Sequence, residues 1–148
     1  MNRFFLSEQR LIAAPRETLF NIVADPKRHS EIDGSGTVKG ELVSSHERLE
    51  LGSKFGMKMR KGINYRMTNT VVEFEEGARI AWKPAGNYIW RYTFEDVPGG
   101  TLVTEQWDAR KFKMRHLLAL MGVPKSTKRA LEATLRRLAD LTENQPAS

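Results

Sequence analysis

Apolar residues recur near the C-terminus, over Lys125–Leu141, at Leu131, Leu135, Leu138 and Leu141, with Ala130 and Thr134 beside them. Steps of three and four residues gather these side chains into one stripe of a helix. Lys128, Arg129, Arg136, Arg137 and Asp140 fall mostly on the opposite side. Such a stripe needs a partner surface to leave water. The segment from Thr37 to Ala109 supplies one, because its hydrophobic period changes to two, the alternation of half-buried antiparallel strands. Strands are predicted at Thr37–Ser44, Ser53–Lys61, Tyr65–Glu75, around Ile80 and Trp82, from Tyr88, and at Thr101–Ala109. Phe74 breaks the parity set by Tyr65, Met67 and Val71, so a bulge is expected between Val71 and Glu73. Upstream, Phe4–Ile12 reads as a first strand. Pro15 opens a short helix to Ala24 that buries Leu19, Phe20, Ile22 and Val23. Asp25-Pro26 ends it and launches a second short helix to Ile32.

Strand, two short helices, a run of strands and a long helix describe an α+β fold, not a doubly wound parallel sheet. The expected architecture is a curved antiparallel sheet of about seven strands wrapped around the long C-terminal helix. Lys111–Met121 is expected to be helical as well, and Gly122-Val123-Pro124 interrupts it before the last helix. With 148 residues, the chain is read as one domain spanning residues 1–148, with 143–148 a frayed tail.

Specific residues carry a family resemblance. Ile12-Ala13-Ala14-Pro15 leads a strand into a helix, Asp25-Pro26-Lys27-Arg28-His29 follows, and Gly99-Gly100-Thr101-Leu102-Val103-Thr104 forms a late hairpin strand. In order and spacing these landmarks resemble the START/Bet v 1-like (SRPBCC) superfamily, in its polyketide cyclase/dehydrase-like branch. The resemblance implies the helix-grip fold and a hydrophobic ligand cavity under the long helix. It does not transfer an activity, because one fold hosts many functions. Where family members often carry a Trp soon after the Arg-His, this chain has Ile32, so no role for that Trp is carried over.

Strand parity assigns Phe55, Met57, Met59, Tyr65, Met67, Trp82, Tyr88, Trp90, Tyr92 and Trp107 to the inward face. Leu131, Leu135 and Leu138 close it from the helix. Such a wall suits an apolar ligand, with Tyr and Trp adding hydrogen-bonding handles and Met adapting to irregular shapes. The same residues also suit a solid core. Glu105 shares this face, between Val103 and Trp107. A carboxylate there needs a partner, which is either Arg10 on the first strand or a ligand group. In the latter case it is the candidate catalytic acid or base. The loop Asp33–Thr37 and the segment Phe112–Val123 are the expected gates.

The remaining chemistry is sparse. Without cysteine, disulfides, thiolate nucleophiles and cysteine metal sites are excluded. His29 falls in the family-like loop, His46 in a polar turn and His116 near the start of the C-terminal region; no two have metal-ligand spacing. His46-Glu47-Arg48-Leu49-Glu50 departs from the zinc-protease pattern at Glu50, and Gly34-Ser35-Gly36 lacks the context of a dinucleotide loop. No metal or cofactor is expected. The opening MNRFFLSEQR has a three-residue apolar run, too short for a leader or a membrane span, so a cytoplasmic protein is expected. A net charge of +6, clustered at Lys54–Lys61, Arg110–Arg115 and the last helix, fits a soluble surface or attraction to anions. No nucleic-acid-binding motif accompanies it; transient contact with an anionic membrane surface is the partner it leaves open. The expected function is binding or transport of a small hydrophobic or amphipathic ligand, lipid-, polyketide- or aromatic-like. The alternatives are a cofactor-free cyclase, dehydratase or hydrolase, and a basic module for anionic lipid or nucleic acid.

Overall fold

A computed structural model describes residues 3–25, 28–32, 38–41, 48–61, 63–84 and 87–143, and their side chains except at 30, 38–41, 57–61 and 63–67. Seven strands form one sheet in the order β1-β7-β6-β5-β4-β3-β2. They are β1 (Phe5–Ile12), β2 (Val38–Glu41), β3 (Lys54–Lys61), β4 (Ile63–Glu75), β5 (Arg79–Pro84), β6 (Ile89–Val97) and β7 (Gly100–Asp108). Every pairing is antiparallel, as the period-two patterning requires. The helices are α1 (Arg16–Val23), α2 (His29–Ile32), α3 (Arg115–Leu120) and α4 (Val123–Glu143). The expected tail position Glu143 is still helical, and its Oε2 accepts a hydrogen bond from the Ala13 backbone N at 2.9 Å. Residues 144–148 and the proposed gate at 33–37 lie outside the described residues, as does His46.

The register resolves the sheet into two faces. Directly opposed residues share a face, and the chain of pairs Glu8↔Glu105↔Tyr92↔Ile80↔Phe74 runs across five strands. The register shifts between Val71 and Glu73. That bulge returns Phe74 to the face of Val71, as the parity break predicts. On this concave face lie Ile12, Val71, Ile80, Phe94 and Val103, at most 1–3% exposed. Phe20 of α1 stands edge-on to Phe74 and Phe94, at ring-centroid distances of 5.7 and 5.5 Å. From α4 come Leu135, Leu138 and Ala139, which join the same core. Each fully buried leucine stabilises the fold by roughly 2 kcal/mol. Leu131 is also fully buried, whereas Leu141 is half-buried.

Two of the sequence landmarks meet in space. Thr101 Oγ1 donates to the Ala14 carbonyl at 2.8 Å, joining the Gly-Gly-Thr strand to the Ala-Pro helix start. The third landmark packs elsewhere. His29 is not a loop residue but lies in α2 at 4% exposure; its Nε2 lies 2.7 Å from the Val23 carbonyl. Its ring stacks on Trp82 at 5.0 Å and meets Phe55 edge-on at 5.3 Å. A flat ring with one polar edge turned to a helix carbonyl fits an otherwise apolar corner.

The convex face carries charge. Arg91 Nε and Nη2 donate to both Glu73 oxygens at 2.9 and 2.5 Å, and Nη1 donates to Gln106 Oε1 at 3.0 Å. The Arg91 hydrogen bonds hold the Glu73 carboxyl below the usual glutamate range. A carboxylate with a depressed folded-state pKa contributes stability above its unfolded value and loses it as pH falls through the folded one. Glu73→Gln is therefore expected to cost about 1 kcal/mol at neutral pH. The two urea-unfolding curves should converge below the ordinary carboxylate value of 4.5. A gap that persists into acid contradicts this.

Candidate functional site

The concave face is closed unevenly. Toward α1 and α2 it is sealed by Phe20, Ile80, Phe94, Val103 and Leu138. Toward the β6 start, Tyr88 and Trp90 are only half-buried, although Trp90 opposes the 2%-exposed Trp107. The aromatic residues assigned inward thus fall into two groups. Phe55, Trp82 and Tyr92 form one chain of ring contacts, with successive centroids 5.5 Å apart. Tyr88, Trp107 and Trp90 form the other, at 6.5 and 6.4 Å. Phe112 stands edge-on to Tyr88 at 5.4 Å, so the segment leading into α3 lies against the second group. Met57 pairs with Met67 and Met59 with Tyr65 in the β3–β4 register. The side chains of these four residues are among those not described.

Two polar groups stand within this apolar wall. Glu105 is 3% exposed, and its Oε1 accepts a hydrogen bond from Tyr92 Oη at 2.9 Å. The expected partner Arg10 is exposed and opposes Val103, while Glu105 lies opposite Glu8 on one side and Tyr92 on the other. Parity put Arg10 and Glu105 on one face; the register separates them. A phenol is a suitable partner for a buried carboxylate because it donates without adding a second charge to desolvate. The sequence reading missed the second group. Asn69 is 2% exposed, shares the face of Phe55 and Val71, and its Nδ2 meets no acceptor among the described residues. A buried amide N–H left without a partner costs roughly 1–3 kcal/mol. The parity of Val71 already marked Asn69 as inward.

Elsewhere, a cleft of about 230 Å³ opens between β1 and α4, bordered by Glu8, Gln9, Arg10, Glu132, Leu135 and Arg136. Of the residues assigned to the ligand site only Leu135 borders it. Its β1 wall is the edge strand of the sheet, and no aromatic residue lines it. His116 is exposed, with its ring edge-on to Phe4 at 5.5 Å. No described helix is long and apolar enough to cross a membrane.

Comparison with known proteins agrees with this geometry. The pattern of the family described as "Polyketide cyclase / dehydrase and lipid transport" matches residues 4–143. An uncharacterised protein of Mycobacterium tuberculosis H37Rv is 40% identical over 136 residues, 87% of this chain and 60% of the relative. This chain therefore spans less than two thirds of that relative's length. A crystal structure from Chromobacterium violaceum aligns with a TM-score of 0.70 at 15% identity, over 97% of this chain and 100% of that one. One from Nitrosomonas europaea reaches 0.71 at 16% identity, covering 97% of each chain. The solution structure of a polyketide-cyclase-like protein from Corynebacterium glutamicum gives 0.55 at 21% identity, over 98% of each. At such identities these structures speak for the fold alone. A helix-grip sheet closed by α4, together with a family pattern that runs from β1 to the end of that helix, places the chain in the polyketide cyclase / dehydrase and lipid transport family, within the SRPBCC superfamily.

Proposed function

We propose that the chain binds a small apolar or amphipathic molecule on its concave face, at the end lined by Tyr88, Trp90 and Trp107. The observation that carries this reading is the uneven closure of one face. The same rows of residues are sealed near α1 yet left half-open at Tyr88 and Trp90. Aromatic side chains give a ligand large contact area at low entropy cost, and burial contributes about 25 cal/mol per Å² of apolar surface. Asn69 and the Tyr92–Glu105 pair supply the few polar groups such a site uses to fix orientation. Carriage of the ligand, rather than its conversion, is the simplest use of this arrangement.

Native mass spectrometry of the protein as purified is expected to show a non-covalent small-molecule adduct that denaturation releases. The uncharged dye Nile red should compete for the same place, and Trp90→Ala should weaken its binding on the order of tenfold. Absence of an adduct together with a Trp90→Ala affinity equal to wild type removes the reading. One observation favours a second use of the same site. Glu105 and Tyr92 are two titratable groups in direct hydrogen-bond contact on the ligand-facing side, the minimum for cofactor-free proton transfer in a cyclase, dehydratase or hydrolase. Such an enzyme loses turnover in Glu105→Gln, which keeps size and shape; a carrier does not depend on that proton.

A further inference from the structure

Exposed large hydrophobic side chains are not scattered over this molecule. Seven occur among the described residues, and four of them, Met114 (56% exposed), Leu117 (44%), Leu120 (85%) and Met121 (67%), fall in one eight-residue run. That run contains α3, which has no buried residue. Scattered single exposures need no explanation, but a cluster of this kind marks a contact surface. The segment is held by its base rather than by its apolar side chains. Asn87 Nδ2 donates to the Lys111 carbonyl at 3.4 Å, Phe112 packs on Tyr88, and His116 packs on Phe4. Gly122, at φ 77°, then turns the chain into α4. A left-handed corner ends α3 and leaves Leu120 and Met121 outward.

The charge around this run is of one sign. Residues 109–131 contain seven Lys and Arg and no Asp or Glu. Arg110 is neutralised by Asp108, with Nη2 to Oδ2 at 2.8 Å. Lys111, Lys113, Lys125, Lys128 and Arg129 are exposed. We propose that Met114, Leu117, Leu120 and Met121 insert into the surface of an anionic lipid bilayer while the surrounding lysines and arginines engage its headgroups. Three partners compete for such a surface, and the chemistry separates them. Nucleic acid rewards the cations but not four exposed aliphatic and thioether side chains. A second copy of the chain, docked through the same patch about a twofold axis, brings like charges together. Only an anionic bilayer rewards both, through buried CH₂ groups and through cations near a negative surface. The inference is separate from the ligand site, since docking requires nothing bound on the concave face. The two share a location: Phe112, at the root of the docking segment, covers Tyr88 at the half-open end of the concave face.

The test is co-sedimentation of the full chain with sucrose-loaded vesicles. Phosphatidylcholine vesicles are compared with equal mixtures of phosphatidylcholine and phosphatidylglycerol. The mixed vesicles should retain the protein and the neutral ones should not, with retention falling as salt shortens the screening length from about 10 Å toward 3 Å. Leu120→Ser combined with Met121→Ser should reduce partitioning about 10- to 100-fold. Both positions are exposed, so the melting temperature serves as the control for folding. Lys111→Glu with Lys113→Glu should abolish the preference for phosphatidylglycerol. Binding that ignores lipid charge, or that survives the serine pair, overturns the proposal. So does a concentration-dependent dimer dissolved by the serine pair, or salt-sensitive oligonucleotide binding without vesicle binding.

Discussion

Gly100→Ala is expected to be strongly destabilising, and the most so of the glycine-to-alanine changes at Gly52, Gly77, Gly99, Gly100 and Gly122, at about 4 kcal/mol or more. Gly100 has φ 147°, and a Cβ there lies 2.2 Å from the Ile12 carbonyl oxygen and 3.0 Å from Ala13 Cα. Both obstacles are backbone, so no rotamer relieves them. The end of β1 must instead move away from β7, where Ile12 faces Thr101 in the register. That movement breaks the Thr101–Ala14 hydrogen bond and wets Ile12, which is 0% exposed. Set against the roughly 5–15 kcal/mol that holds a domain together, this is a large share. For a chain of this length it corresponds to a drop of about 10–15 °C in melting temperature. Gly99→Ala is the control. Gly99 also has a left-handed φ, 93°, but its nearest neighbour is the flexible Leu11 Cδ2 at 3.8 Å. Strain alone should cost it roughly 1–2 kcal/mol. Calorimetry that finds the two variants equally stable refutes the close-approach account of this turn.

The same turn shows what the sequence makes legible. Gly-Gly-Thr and Ala-Pro read as separate landmarks, and their order along the chain carried the family resemblance. Their physical connection, one hydroxyl on one carbonyl and one carbonyl against a missing Cβ, is long-range and leaves no local pattern. Periodicity succeeded wherever one element decides the outcome. The α4 stripe buries Leu131, Leu135 and Leu138 as read, and the parity break at Phe74 coincides with a register shift. Aromatic row residues Trp90, Tyr92 and Phe94 share their face with Trp107, Glu105 and Val103.

Readings failed where two elements decide. Arg10 has inward parity, but parity fixes the face and not the partner. Strand alignment set Arg10 against Val103 and gave Glu105 to Tyr92. His29 is assigned to the family-like loop by the sequence, although the helix launched by Asp25-Pro26 is already expected to run to Ile32, and it lies in that helix. Its burial comes from Trp82 and Phe55, on strands far along the chain. Asn69 was passed over because polar residues in a strand are read as solvent-facing, although its neighbours on that face, Val71 and Phe55, are buried. Lys111–Met121 reads as helical; the helix forms over Arg115–Leu120 and buries none of its residues, which no feature of its own pattern decides.

Replacing both members of the Tyr92–Glu105 pair, as Tyr92→Phe with Glu105→Leu, is expected to separate stability from function. Each single change removes one end of the hydrogen bond between them. Tyr92→Phe removes the phenol that donates to Glu105, and Glu105→Leu removes the carboxyl that accepts from it; each should cost roughly 1–3 kcal/mol. The double variant restores an apolar wall of similar volume. A buried carboxylate is expensive to desolvate, and apolar replacement of buried polar or ionic groups is often neutral or stabilising. The double variant should therefore unfold within about 1 kcal/mol of wild type, or later, with a favourable coupling between the two changes. Ligand retention should move the other way. A hydrogen bond contributes roughly 0.5–1.5 kcal/mol net, so loss of the carboxyl predicts about 2- to 10-fold weaker hold on a ligand with a matching donor. A pair that lowers stability where it stands would fit the ligand-binding role proposed for this face. Urea unfolding and native mass spectrometry of the four proteins in the cycle decide the matter. A double variant several kcal/mol less stable than wild type makes the pair a structural link, and unchanged ligand retention removes Glu105 from the site.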